Sequence, residues 1–168
     1  DTGAETRKIY LLDKHIEFCT NCRSCTQTPG PIRGKCVQKD DVESILSQID
    51  LADAVVLGAP VNFGNVTAIF RRFLERLAVY ADWPWGQASP KLRNKVRTKK
   101  AALVTSSAMP GFLLPYFTGA VGALKMTAKV MGLRPVATLS IGLSSLQREQ
   151  PLSLRSITRA KKIGARLS

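Results

Sequence analysis

Apolar positions change their spacing several times along the chain, and each change predicts an element. Thr6 to Leu12 is a short β-prone run, followed by a cysteine-rich loop from about 18 to 38. Val42, Ile45, Leu46 and Ile49 then recur at helical spacing behind Asp40-Asp41, which predicts a capped amphipathic helix. Ala54-Val-Val-Leu-Gly58 is unbroken and apolar, as expected of a strand buried on both faces. After a loop at 59–66, Ala68, Phe70, Phe73, Leu74 and Leu77 mark a second helix, with Arg71, Arg72, Glu75 and Arg76 among them. Residues 82–90 break regular structure with two prolines and a glycine. Ala101 to Thr105 is the next strand, a helix is expected from about Tyr116 to Met131 and stops at Gly132, and Pro135 to Ile141 is the last strand. Leu154, Ile157, Ala160, Ile163 and Leu167 line a closing helix whose wet side carries Arg159, Lys161, Lys162 and Arg166.

That alternation of strand and helix predicts an α/β domain with a doubly wound parallel sheet, since right-handed crossovers make successive strands parallel and lay helices on both faces. With 168 residues and 45% apolar content, one domain over 1–168 with a substantial core is expected. No apolar run approaches the roughly 20 residues needed to span a bilayer. The opening Asp1-Thr-Gly-Ala-Glu-Thr-Arg7 has neither a basic flank nor an apolar core, so it is not a signal peptide.

Charge divides the chain. Residues 1–82 hold 10 Lys/Arg against 11 Asp/Glu, whereas residues 83–168 hold 15 against the single acid Glu149. A field of that sign favours anionic partners, and the run Lys91 to Lys100 with the basic last helix makes nucleic acid an alternative partner, although no interleaved aromatics or reading motif accompany it. Cys19, Cys22, Cys25 and Cys36 all fall between positions 19 and 36, and the first three sit too close for a disulfide framework and read better as metal or redox thiols in a reducing cytoplasm. Spacing by itself leaves a cluster, a zinc site and free thiols open. His15 stands alone, and Trp83, Trp85, Met109 and Phe112 are compatible either with a ligand entrance or with ordinary packing.

In an open parallel sheet ligands bind beyond the carboxyl ends of the strands, which directs attention to Gly58–Val66 and Thr105–Gly111. In the first, Pro60 fixes a turn, Gly64 permits close backbone approach, and Asn65 is placed to cap the helix that follows. Ala59-Pro-Val-Asn-Phe-Gly-Asn-Val66 resembles the (S/A)PVY(F/W)GN(V/M) loop of NAD(P)H-dependent FMN reductases. Cys19-Thr-Asn-Cys22-Arg-Ser-Cys25, with Gly34-Lys-Cys36 beyond, is similar to the cysteine region of the iron–sulfur flavoprotein subgroup.

This resemblance implies a flavodoxin-like three-layer α/β/α fold, whose first strand, phosphate loop and first helix would be absent from residues 1–168. It implies FMN held by Pro60, Val61, Asn62, Phe63, Gly64, Asn65 and Val66 on one side and by Ser106 and Ser107 on the other. It implies hydride transfer from NAD(P)H to the flavin and onward to a quinone, a free flavin or another small-molecule or protein acceptor, with a 4Fe–4S cluster on Cys19, Cys22, Cys25 and Cys36. It further implies a homodimer or homotetramer, with the helix at 66–79 as a candidate contact. Asn62 stands where the family usually has an aromatic ring, so Phe63 is expected to supply apolar contact. The cofactor carries such chemistry, and no catalytic acid or base is assigned.

Overall fold

The computed structural model describes residues 3–94 and 96–167. Lys95, inside the cationic run singled out above, lies outside the described residues. Three strands run parallel: β1 (Ala54–Asn62), β5 (Lys100–Ser106) and β6 (Arg134–Ile141). A two-residue strand β2 (Asn65–Val66) folds back antiparallel on the end of β1, so the sheet order is β2-β1-β5-β6. Register between β5 and β6 slips at Ala101/Ala102, beside Pro135, which has no N–H to give to a ladder. A separate ribbon pairs β3 (Ala81–Asp82) with β4 (Lys91–Leu92).

Helix α1 (Val42–Leu51) and helix α2 (Ala68–Arg76) follow the predicted spacing. The single long helix expected from Tyr116 breaks in two, α3 (Leu114–Phe117) and α4 (Ala120–Val130), because Thr118 adopts an extended conformation between them. Helix α5 (Leu154–Leu167) closes the described chain. On one face of the sheet Leu57, Ala59, Ala101 and Leu103 meet Ala120, Leu124 and Ala128 of α4, together with Phe70 and Phe73 of α2, in a continuous core. The other face is thinner: α5 lies over β6 and β5 and contributes no fully buried residue.

Two expectations change. Thr6 to Leu12 forms no strand; it is extended and ends in a 3-10 turn at Leu11–Asp13, because its β-prone residues find no neighbour with which to pair. Strand β1 is buried on one face only, with Leu57 and Ala59 inside and Val56 59% exposed. Among the described residues no helix is long and apolar enough to cross a membrane.

Candidate functional site

The parallel register brings the carboxyl ends of all three strands level, pairing Pro60 with Ser106 and Ser106 with Ile141. Strand β1 continues past Gly58 through the loop expected at 59–66 and turns back at Phe63-Gly64, where Val61 pairs with Val66 and Asn62 with Asn65. Both turn residues have positive φ, 46° at Phe63 and 75° at Gly64, the requirement of a two-residue hairpin turn that suits the right-handed twist of its strands. Glycine accepts this freely, but a phenylalanine there is strained. Phe63 is nevertheless fully exposed, so no packing inside the chain compensates it. A Cβ added to Gly64 would meet nothing within 4 Å, which leaves the backbone open to a flat ligand.

The hairpin is held from below. Gly119 N–H, at the start of α4, donates to Gly64 C=O at 2.7 Å, and the Asn65 carboxamide lies against Gly119. Asn65 does not cap α2: its Oδ1 accepts from Val66 N–H at 2.8 Å and the N-cap position belongs to Thr67, because pairing with Asn62 puts Asn65 in strand β2. Pro60, Asn62, Phe63, Gly64 and Asn65 are exposed, Val61 is half-buried and Val66 joins the core.

Opposite them Ser106 is half-buried between Pro60 and Ile141, whereas Ser107 is buried and engaged within the protein. Its N–H donates to Ile141 C=O at 3.0 Å, its hydroxyl accepts from Met109 N–H at 2.9 Å, and its carbonyl accepts from both N–H and hydroxyl of Ser144 at 3.0 Å. The exposed edge of the hairpin, the bare face of Gly64 and the half-buried Ser106 therefore stand together at the carboxyl end of the sheet, with peptide and hydroxyl groups of the kind that a polar ring edge would meet.

The second cluster is the cysteine loop. Gly34 is its pivot: a Cβ there would stand 1.7 Å from the carbonyl oxygen of Cys25, so only glycine lets the two backbones touch. Gly34 N–H also donates to Val79 C=O at 2.7 Å. The excursion between Cys25 and Cys36 is thereby folded back onto the Cys25 backbone, and the Cys25 thiol stands near enough to the other three to feel their charge. Burial pushes the Cys25 thiol up, and charge on Cys36, Cys19 and Cys22 pushes it further. The exposed Cys22 thiol moves the other way, lowered by hydrogen bonds from Ser24 and Thr20. All four cysteines are free of disulfides. Among the described residues no three His, Cys, Asp or Glu side chains form a group placed to hold a metal ion. Four cysteine sulfurs in one looping segment are the donor type that iron–sulfur clusters take.

Four arginines fasten this loop. Arg23, with φ 59°, is inserted between the rings of Trp83 (3.8 Å) and Trp85 (4.1 Å) and donates to Trp83 C=O at 2.7 Å. The two tryptophans are thus a clamp on the Cys22-Arg23-Ser24-Cys25 turn. Arg93, nearly buried, donates to Ala81 C=O and Gly30 C=O at 3.0 Å and to Cys25 C=O at 3.4 Å. Arg72 donates to Ile16 C=O at 3.0 Å and covers the Phe18 ring. Arg76, 2% exposed, pairs with Asp40, whose side chain is as buried as its own, and reaches Glu17 C=O and the sulfur of Cys36. Burial alone would raise Asp40, but the Arg76 guanidinium and the N–H groups of Glu17 and Val42 outweigh it and hold the carboxyl below its ordinary value.

The sequence marked Arg72 and Arg76 on the second helix and Arg93 within the cationic run, but tied none of the four to the cysteine loop. Arg76 carried a signal, since it lies three and six residues after Phe73 and Phe70 on the apolar stripe of α2, where a cation must find a buried partner. Arg93 and Lys99 also change the meaning of the cationic run. Lys99 donates to the carbonyls of Ile49 and Asp50, so Arg93 and Lys99 serve the fold. An open depression of about 560 Å³ between Ile32, Arg33, Asp50 and Tyr80 lies away from the hairpin and is lined by Arg33 paired with Glu43 and Asp50.

Residues 1–113 match the model of the family described as NADPH-dependent FMN reductase. Two iron-sulfur flavoproteins of Archaeoglobus fulgidus are similar to this chain. One is 34% identical over 84 residues, which are 50% of this chain and 36% of that protein. The other is 35% identical over 109 residues, or 65% and 47%. An iron-sulfur flavoprotein of Methanocaldococcus jannaschii is 38% identical over 76 residues, 45% of this chain and 37% of that protein. The matches span less than half the length of these relatives. A solved flavone reductase superposes with a TM-score of 0.59 at 19% identity, covering 98% of this chain and 51% of that one, which shows a shared flavodoxin-like fold.

Proposed function

Since the chain belongs to the NADPH-dependent FMN reductase family, we propose that it supplies one wall of an FMN site in an oxidoreductase that takes electrons from NAD(P)H and passes them to a second acceptor. The observation that carries this reading is the exposed hairpin at 60–65, strained at Phe63 and bare at Gly64, level with Ser106 at the carboxyl end of the sheet. Conformational strain on a fully exposed aromatic is retained where an outside contact uses it. When bound, the flavin accepts a hydride from the nicotinamide and releases electrons singly or in pairs. The chain's own residues position and shield: the hairpin offers backbone and carboxamide groups to a polar ring edge, Phe63 offers apolar contact, and Ser106 faces the same rim.

The cysteine loop extends the proposal to a 4Fe–4S cluster held by Cys19, Cys22, Cys25 and Cys36, in keeping with the iron-sulfur flavoproteins to which the chain is similar. Helix α2 links the two places, starting beside the hairpin and ending at Arg76 under the cysteines, about 12 Å further along its axis. Four free thiols in one loop suit a reducing compartment, so a cytoplasmic setting is part of the proposal. Quinones, free flavins and other flat acceptors all match an open site of this kind.

The test uses the full-length protein purified without oxygen. Stoichiometric flavin absorbance after FMN addition, with oxidation of NADPH or NADH by a quinone, flavin or dye, is expected; loss of both would overturn the oxidoreductase reading. Iron and acid-labile sulfide measured on the same sample decide the cluster separately.

A further inference from the structure

A buried ion pair is a weak stabiliser, because desolvating two charges offsets most of their attraction. Arg76 and Asp40 are such a pair, each side chain 1% exposed. The guanidinium does more than neutralise the carboxylate. Its Nη1 donates to Glu17 C=O at 2.8 Å and to Asp40, and its Nη2 donates to Asp40 Oδ1 and to the Cys36 sulfur, both at 3.3 Å. Asp40 in turn accepts from Glu17 N–H at 2.7 Å and from Val42 N–H at 3.1 Å. One side chain therefore ties the segment leading into Cys19 to the segment containing Cys36. It also places a fixed positive charge and an N–H donor on one sulfur of the four.

We propose that Arg76 is the positioning residue for Cys36 and that its N–H···S hydrogen bond, partly offset by Asp40, raises the reduction potential of the cluster held by the four cysteines. The proposal rests on those cysteines holding a cluster. Its physical basis is that one-electron reduction makes the ligating sulfurs more negative, so a donor and a cation beside one of them stabilise the reduced form more than the oxidised form. Asp40 has the opposite sign and lowers the potential. Lysine at 76 would keep a charge for Asp40, but a single ammonium cannot reproduce the fork that reaches carboxylate and sulfur together.

Opposite shifts from the two partners distinguish this from simple support of the loop. Full-length protein, anaerobically reconstituted with iron and sulfide, is titrated with mediators and dithionite while the reduced cluster is followed by electron paramagnetic resonance. Expected for Arg76→Lys is a reduction equilibrium at least tenfold less favourable than in the unaltered protein, which is 59 mV for a one-electron couple. Expected for Asp40→Asn is a shift in the opposite direction. A change under twofold in Arg76→Lys, or the same direction in both variants, overturns the proposal while leaving the cluster assignment intact. Failure of the unaltered protein to take up iron and sulfide overturns both. Should either variant not fold, protein grown with ¹⁵N-arginine decides the matter: electron–nuclear double resonance of the reduced cluster is expected to show coupling to an arginine nitrogen, and its absence overturns the proposal.

Discussion

Replacing Gly34 by alanine is the sharpest perturbation of the cysteine loop. Gly34 has no positive φ, so the substitution adds only a methyl group, and that methyl would lie 1.7 Å from the backbone oxygen of Cys25. Restoring even a 3.0 Å approach requires a movement of 1.3 Å. Neither side yields cheaply. Gly34 is hydrogen-bonded at 2.7 Å to the carbonyl of Val79, a residue 1% exposed, and the Cys25 carbonyl accepts from the nearly buried Arg93. Losing one such buried hydrogen bond costs about 1–3 kcal/mol. Crowding a packed site costs about 1–3 kcal/mol, partly the same strain counted again. A destabilisation of about 2–4 kcal/mol is expected, a large share of the roughly 5–15 kcal/mol available to a typical domain. Urea unfolding followed by circular dichroism measures it, provided the slope m is unchanged between the two proteins. In protein carrying Cys19→Ser and Cys22→Ser, capture by a reagent that bridges two neighbouring thiols, such as an arylarsenical, reports the separation of Cys25 and Cys36 and should weaken in parallel. A change below about 0.5 kcal/mol, the ordinary range for an inconsequential surface substitution, with undiminished thiol capture would refute the reasoning. Gly164→Ala, in the exposed helix α5 with nothing within 4 Å, is the control and should stabilise by up to about 1 kcal/mol.

Phe63→Gly should stabilise the flavin-free protein by about 1 kcal/mol, because the strained φ of 46° costs glycine nothing, and should weaken FMN binding; urea midpoints and flavin fluorescence titration check the two halves, and a destabilised variant would show that Phe63 packs after all. Asp40 titrates below its ordinary value in the folded chain, so its contribution to stability is complete above about pH 4 and is lost as pH falls further through the folded value. Acid unfolding of Asp40→Asn should therefore be less steep below pH 4, and an unchanged acid limb would contradict this. Trp83→Ala and Trp85→Ala each remove one ring from Arg23, costing about 1 kcal/mol apiece, and should speed reaction of Cys22 and Cys25 with a thiol reagent; equal rates would show that the turn needs no clamp.

Much of the sheet and its helices was legible because hydrophobic spacing is a local property of the chain. Val42 to Ile49 and Phe70 to Leu77 gave their helices away by period, the strand at 54–58 by its unbroken apolar run, and those at 101–105 and 135–141 by short, largely apolar runs. The run at 6–12 failed for the complementary reason: β-prone residues become a strand only when a neighbour supplies hydrogen bonds. Asn65 was misplaced as a cap because the pairing of Asn62 with Asn65 depends on Phe63 entering the left-handed region, which few would assign to a phenylalanine.

At the site the division is similar. Residue order alone marked Pro60 to Val66, Ser106 and the four cysteines as candidate chemistry, since each is carried by a contiguous motif or a short spacing. Folding alone decided that Gly34 presses on Cys25, that Arg76 shares its guanidinium between Asp40 and Cys36, and that Arg93 leaves its cationic run to hold the loop from beneath. Those contacts join residues far apart in the chain, and a buried cation is fixed by whichever acceptor packing brings to it, which no local pattern encodes.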